Sequence, residues 1–314
     1  MEYKHASVMP GEVLGALRPR EGGRYADGTL GGGGHAALIL EASSPGGWLW
    51  GCDRDDAAVE AASSRLAPYS GRFELRRGTF VSLADWIEPG SLVGVLLDLG
   101  VSAPQLEWPE RGFSLLRDGP LDMRMNQEQK MTAAELVNNE TQENLANLFW
   151  RLGGERDSRK IAGAVVRARE VGAITTTGRL AEVVEAVKPR RGKKRHPATK
   201  VFQALRIEVN DEFGEINRGL KATAGLLKAG GRLAVITFHS GEDRLVKEFG
   251  RVETRDYDLP GREDVPVLRV DRPARMSWVS RKAICPTAEE LAENPSARSA
   301  QLRVLEKLGT TKGK

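Results

Sequence analysis

Three aspartates, Asp27, Asp53 and Asp98, each close a short apolar run in the first hundred residues. The first opens the segment Asp27-Gly28-Thr29-Leu30-Gly31-Gly32-Gly33-Gly34-His35. Glycine is needed where a chain turns sharply off a strand while its backbone comes close to a ligand. Gly31, Gly33 and Ala36 satisfy G-x-G-x-x-A, although a flexible strand-to-helix loop could produce the same letters. The context sharpens this. Asp53 follows the glycine loop by about 20 residues, where an acidic side chain can take both hydroxyls of a ribose. Ligands of an open α/β sheet bind outside the carboxyl ends of its strands, so all three carboxylates should share one crevice. Like charges repel in a partly desolvated cleft, which makes an anionic pyrophosphate a poor occupant and a sulfonium cation a good one. The electrostatics therefore favour S-adenosylmethionine. A nicotinamide-dependent oxidoreductase is the enzymatic alternative. Phe80, closing Gly78-Thr79-Phe80, could lie against an adenine or simply fill the core.

These residues need a sheet to hold them. Runs at 24–29, 48–52, 73–76 and 92–97 read as strands, and amphipathic stretches from 35–42 and from Asp55 onward read as crossover helices. The run at 92–97 is apolar throughout, as for a strand covered on both faces. After Gln105 the rhythm changes. Thr132 and Glu135 have capping-box spacing. Three helical stripes follow: Leu145, Leu148, Phe149 and Leu152; Ile161, Val165 and Ala168; and Leu180, Val183, Val184 and Val187. Several helices without a strand do not fit a doubly wound sheet, so residues 113–209 read as an inserted all-α subdomain. Residues 1–112 and 210–314 then form a discontinuous α/β domain. Its pattern resumes with a helix through Ile216, Leu220 and Leu227 and a fifth strand at 232–238.

With 314 residues, 40% hydrophobic and 29% charged, the composition is that of a globular protein. No apolar run approaches the ~18 residues of a membrane span. The N-terminus lacks the apolar core of a signal peptide, and two cysteines, Cys52 and Cys285, make no disulfide framework. Cytoplasmic placement, no membrane and no metal site are the expectations. The net charge is only +4, yet residues 188–200 carry seven basic side chains and no acidic one, among them Arg190, Arg191, Lys193, Lys194, Arg195 and Lys200. Arg269, Arg272, Arg275, Arg281 and Lys282 make a second basic run. Two such runs on a nearly neutral chain point to a polyanionic partner.

The chain resembles the bacterial ribosomal RNA small subunit methyltransferase H (MraW) family. The matching segments include Tyr3-Lys4-His5, Gly33-Gly34-His35, 97–102 with Pro104-Gln105-Leu106, and Arg111-Gly112-Phe113-Ser114. Gly119–Met125, 196–200, Phe202-Gln203-Ala204, Phe238-His239-Ser240 and Glu242-Asp243-Arg244 continue the match, and Glu293-Asn294-Pro295 with Ala297-Arg298-Ser299 closes it. The resemblance implies a class I, Rossmann-like S-adenosylmethionine-dependent methyltransferase fold with a helical insert. It also implies methylation of the exocyclic N4 of a cytidine in the decoding region of 16S rRNA, with the small ribosomal subunit as partner. Gly33, Gly34, His35, Asp53, Phe80, Asp98 and Gln105 would be its cofactor contacts, beside Asp27 and Gly31 from the strand-end reading. The chain departs from the family pattern at Asn126, where aspartate is expected, and at Gly241, where leucine is expected.

Cytosine's exocyclic amine is a poor nucleophile, because its lone pair is delocalised into the ring. A carboxylate accepting its N–H would restore pyramidal character. Asp98 is the leading candidate for that role, with Asp122 and His239 as secondary ones that could instead be helix or loop caps. A rival of another class is an RNA-binding or assembly protein that keeps the fold without catalysis. Oligomeric state is open.

Overall fold

The computed structural model describes residues 7–101, 107–190, 192, 195–259, 261 and 264–309. The chain divides into two compact units, Met1–Gly100 with Phe213–Lys314, and Val101–Glu212.

In the first unit, β1 (Arg24–Asp27), β2 (Trp48–Asp53), β3 (Phe73–Arg77), β4 (Leu92–Asp98) and β5 (Leu227–Thr237) form a parallel sheet in the order β3-β2-β1-β4-β5. Strands β8 (Met276–Trp278) and β9 (Gln301–Lys307) extend it, with β9 antiparallel to both β5 and β8. A separate two-stranded ribbon joins β6 (Tyr257–Asp258) to β7 (Val270–Asp271). The chain leaves β1 towards β2 in one direction and returns to β4 on the other side. The crevice above β1 and β4 is therefore the topological switch point where such sheets bind ligands. The first six of the seven residues of β4 are buried, which suits a central strand with helices on both faces, and the seventh, Asp98, is only partly exposed at its end.

Alternation along the strands builds two cores. Tyr25, Leu96, Ala234 and Ile236 point to one face, where helices α1 (Pro10–Leu17), α2 (Gly34–Ala42) and α3 (Asp56–Leu66) supply Val13, Leu17, Ile39, Leu40 and Leu66. Ala26, Val95, Leu97, Leu233 and Val235 point to the other face. There Ile216 and Leu220 of the helix Glu212–Leu226, and Leu245, Val246 and Phe249 of the helix Ser240–Glu253, cover the sheet. Asp55 starts α3 by accepting from the Ala57 N–H. The fifth strand begins at Leu227, five residues earlier than periodicity suggested, directly after the preceding helix.

The second unit holds α4 (Ala133–Asn139), α5 (Gln142–Arg151), α6 (Ser158–Val171), α7 (Thr177–Val187) and α8 (Thr199–Val209). Helix α9 (Glu212–Leu226) and α10 (Ser240–Glu253) are the two helices of the first unit already described. Thr132 and Glu135 form a reciprocal capping box at the start of α4. Leu145, Phe149, Ile161, Val165, Leu180 and Val184 lie in one core with Val201, Phe202 and Leu205. The second unit begins earlier than residue 113, and its loop before α4 contributes Phe113, Leu121, Met123 and Met125 to this core. Gly112 makes the turn into that loop at φ +72°, and a Cβ there would stand 2.2 Å from the Pro120 carbonyl oxygen.

Asn210, buried at the end of α8, clamps the loop. Its Oδ1 accepts the Met125 N–H at 2.8 Å, and its Nδ2 donates to the carbonyls of Met123 (2.8 Å) and Arg206 (2.9 Å). Asn210→Ala should leave buried backbone groups without partners and lower stability by roughly 2–4 kcal/mol. Urea unfolding with an unchanged midpoint would show that the loop does not depend on this clamp.

Candidate functional site

The site is built where three parallel strands end. Asp27, Asp53 and Asp98 are the last residues of β1, β2 and β4. The backbone between them is cross-linked by their own side chains and one threonine. Asp27 Oδ1 accepts the Thr29 N–H at 3.1 Å. Thr29 Oγ1 in turn accepts the Asp98 N–H, which ties β1 to β4. Asp53 Oδ2 accepts the Gly31 N–H at 2.9 Å, and its Oδ1 the Asp55 N–H at 3.0 Å, which ties the glycine loop to β2.

Glycine is required at the helix entry. Gly33, at φ +74°, precedes α2, and a Cβ there would stand 3.0 Å from the Cβ of Ala62. No side chain caps α2, so its first N–H groups and the positive end of its dipole are available to an anionic group. His35, in its first turn, is nearly buried with Nε2 3.7 Å from Asp98 Oδ2.

Burial dominates the electrostatics. It pushes the Asp27 carboxyl up to about 7, with the Thr29 N–H opposing it and Asp53 adding to it. Asp53 is raised by burial, against the N–H groups of Asp55 and Gly31 that favour its charge. Asp98 is held well above the carboxylate range by burial and then by Asp27 and Glu242. Among the described residues Asp98 Oδ1 is buried with no hydrogen-bond partner. The Arg54 guanidinium next to Asp53 lies 3.5 Å from Glu215. Three dried carboxylates with raised proton affinity make a cleft that a cation would stabilise and an anion would not.

Two participants were not read from the sequence. Thr29 is the hydroxyl link just described. Glu242 is fully buried in α10 and adds its charge near Asp98. Its carboxylate accepts the N–H groups of Phe238 (2.7 Å) and His239 (3.1 Å), while His239 Nδ1 accepts from Gly241 and Glu242. Glutamate three residues after the N-cap is the capping-box signal, here with histidine in the usual serine or threonine place.

The other candidates are placed as follows. His239 is this N-cap, its Nδ1 accepting the N–H groups of Gly241 and Glu242. Asp122 lies in the second unit, where Arg124 grips both its oxygens at 2.8 Å and holds it below the usual carboxylate range. A carboxylate so held is a poor proton acceptor. Phe80 is buried in the core, and Gly28 and Gly219 make room for its ring. Cys52 is buried with its thiol pushed up, which fits a small core residue. Gln105, Arg191, Lys193 and Lys194 lie outside the described residues. Arg190 and Arg195 are exposed, while Lys200 Nζ donates to the Gly154 carbonyl at 2.7 Å. Three of the five members of the second basic run are paired with acids. Arg269 pairs with Asp264, Arg272 with Asp258 and Arg275 with Glu253. Among the described residues, no helix is long and apolar enough to cross a membrane.

Comparison with known proteins places this geometry. The family model described as the MraW methylase family matches residues 2–308. The ribosomal RNA small subunit methyltransferase H of Geobacter sulfurreducens is 47% identical, covering 98% of this chain and 100% of its own. That of Syntrophotalea carbinolica is 46% identical over 98% of each chain. That of Nitrosococcus oceani is 47% identical over 96% of each.

The raised Asp27 carboxyl has consequences of definite sign. A cationic ligand binds the carboxylate form, so affinity for S-adenosylmethionine should climb as pH rises through about 7, by up to about tenfold per pH unit below it. Without ligand the sign reverses. A carboxyl raised on folding contributes stability below its unfolded pKa, and that contribution is lost as pH rises through about 7. Asp27→Asn should flatten both dependences, weaken cofactor binding and raise the melting temperature of the ligand-free protein at neutral pH. Calorimetric titration and thermal melting on either side of neutrality check this; an Asp27→Asn protein with the wild-type pH dependence would sink it.

Proposed function

We propose that this chain, which belongs to the MraW methylase family, methylates the exocyclic N4 of a cytidine in the decoding region of 16S rRNA, with S-adenosylmethionine as donor. The observation that carries this reading is Asp98, a buried carboxylate at the switch point of the sheet with one oxygen unpartnered among the described residues. When bound, S-adenosylmethionine supplies an electrophilic methyl group on a sulfonium. The cleft fits it: the carboxylates suit its positive charges and the uncapped start of α2 suits its carboxylate. Asp27, Asp53, Gly31, Gly33, Gly34 and His35 would hold it, Asp53 through the ribose hydroxyls.

Asp98 then has a task the other two lack. Asp53 spends both oxygens on backbone N–H groups, and Asp27 accepts from Thr29, whereas Asp98 Oδ1 can accept an amine N–H. A carboxylate with raised proton affinity is the better acceptor as the amine gains positive charge. Burial keeps water from competing for it. Holding amine and methyl about 3–3.5 Å apart and in line would supply much of the remaining barrier reduction. A base paired within RNA cannot offer its amine in this way, so the target base must be unstacked or single-stranded. The helical unit would read the RNA, with Arg190, Arg191, Lys193, Lys194, Arg195 and Lys200 on its phosphates, within a whole or partly assembled small subunit in the cytoplasm.

The test is methyl transfer from labelled S-adenosylmethionine to small subunits lacking the modification, mapped by nucleoside mass spectrometry. N4-methylcytidine is expected; cofactor binding without incorporation would sink the substrate assignment. Asp98→Ala should lower turnover by about 10²–10⁴-fold, and near-wild-type turnover would remove Asp98 from the chemistry.

A further inference from the structure

The second unit carries an exposed aromatic side chain that its own fold does not use. Trp150, one residue before the end of α5, is 57% exposed, while its neighbours Leu145 and Phe149 fill the core. A tryptophan turned to solvent on an otherwise regular amphipathic helix contributes little to that helix and leaves apolar surface wet.

Its surroundings are cationic. The chain turns sharply after α5, with the Gly154 N–H donating to the Trp150 carbonyl at 3.0 Å. The Lys200 ammonium is fastened to Gly154 at 2.7 Å, which brings the start of α8 onto the same turn. Arg151, Arg156, Arg159 and Lys160 follow along the chain and are exposed. None of these four makes a hydrogen bond or ion pair with another side chain among the described residues. The acids of this segment are already engaged: Glu155 is buried against Lys188, and Asp157 lies 3.8 Å from the same ammonium.

Arg159 and Lys160 also stand in the first turn of α6, which has no acidic residue. Cations there oppose the positive end of the helix dipole and cost the helix stability. The helix does not account for them, but an external polyanion does. An exposed indole followed along the chain by exposed guanidinium and ammonium groups matches single-stranded nucleic acid, where bases stack on aromatic rings and cations follow the phosphates. A flat polyanion without exposed bases would need the charges and not the indole.

We propose that Trp150, with the exposed cations Arg151, Arg156, Arg159 and Lys160 that follow it along the chain and Lys200 fastened to the same turn, is a stacking platform for one unpaired base of the RNA. This rests on the reading of RNA as the substrate and adds where on the helical unit, and in what form, the RNA is held.

The test compares wild type, Trp150→Ala and Trp150→Phe in binding a single-stranded RNA oligonucleotide and an RNA duplex, each across a salt series. Trp150→Ala should weaken single-strand binding by roughly 5- to 100-fold with an unchanged salt slope. Trp150→Phe should keep most of the affinity, and duplex binding should be the same for all three. Replacing Arg156, Arg159 and Lys160 together by glutamine should reduce the single-strand salt slope by about 2. Trp150→Ala binding like wild type, or losing single-strand and duplex affinity equally, would overturn the platform while leaving RNA as substrate. Wild type that binds neither RNA but still methylates the subunit would overturn the platform alone. Absence of both binding and methylation would remove the RNA reading with it.

Discussion

Burial of three aspartates at the ends of neighbouring strands is the constraint around which the first unit is organised. Burial alone raises the proton affinity of Asp27, Asp53 and Asp98, and proximity raises that of Asp27 and Asp98 further. A fold gains nothing from this arrangement by itself, since burying a charge without a partner costs free energy. The cost falls when a cation enters, so the cleft stores in the free protein part of what selects the ligand. The same electrostatics set the cleft against a pyrophosphate, although the loop geometry is shared with dinucleotide-binding proteins.

The surrounding backbone limits that cost without cancelling it. Asp27 accepts the Thr29 N–H from the loop after β1, and Asp53 accepts the Gly31 N–H from that same loop and the Asp55 N–H after its own strand. Thr29 reaches across to β4, so the three strand ends move as one. Helix α10 repeats the device one strand further on, where Glu242 accepts the N–H groups of Phe238 and His239, and His239 Nδ1 accepts those of Gly241 and Glu242. Loops thus held have few ways to relax when charge develops in the cleft. That rigidity is what electrostatic preorganisation requires. Asp98 is the exception, with its backbone tied down and one carboxylate oxygen left over among the described residues.

The parallel sheet was legible because each of its first four strands is a short apolar run ending in Asp27, Asp53, Arg77 or Asp98 next to turn residues. Among them β4, buried along its length up to Asp98, leaves a continuous hydrophobic signal. The start of β5 was hidden, because Leu227 suits the stripe of the preceding helix as well as the strand that begins there. Strand β9 gave a weak signal for a different reason. Its Arg303 is buried in the sheet and held by Asp243, sixty residues earlier in the chain, and by the Arg281 carbonyl. Long-range pairing of this kind has no local signature. Folding also distinguishes the two basic runs: Asp264, Asp258 and Glu253 pair with Arg269, Arg272 and Arg275 of the later one through contacts that composition cannot show. In the site, aspartates at strand ends were readable from position alone, whereas Thr29 and Glu242 act through contacts to residues far along the chain.

The two departures from the family pattern acquire a physical meaning from their surroundings. Asn126 Oδ1 accepts the Glu128 N–H at 2.9 Å, a turn-forming bond that an aspartate would make equally well. The substitution therefore keeps the turn and removes a negative charge from it. Gly241 is a packing matter. A Cβ there would lie 2.6 Å from the Phe213 ring, which itself sits 6.0 Å from the His239 ring, centre to centre. A leucine at 241 and the present position of Phe213 exclude each other, so the small residue and the large ring are two halves of one solution. The affected residues belong to the N-cap of α10 and to α9, and the hydrogen bonds of Asp27 and Asp53 run through other atoms. The acidic crevice can therefore stay constant while the helix beside it is repacked, which separates what the chemistry needs from what the scaffold can vary.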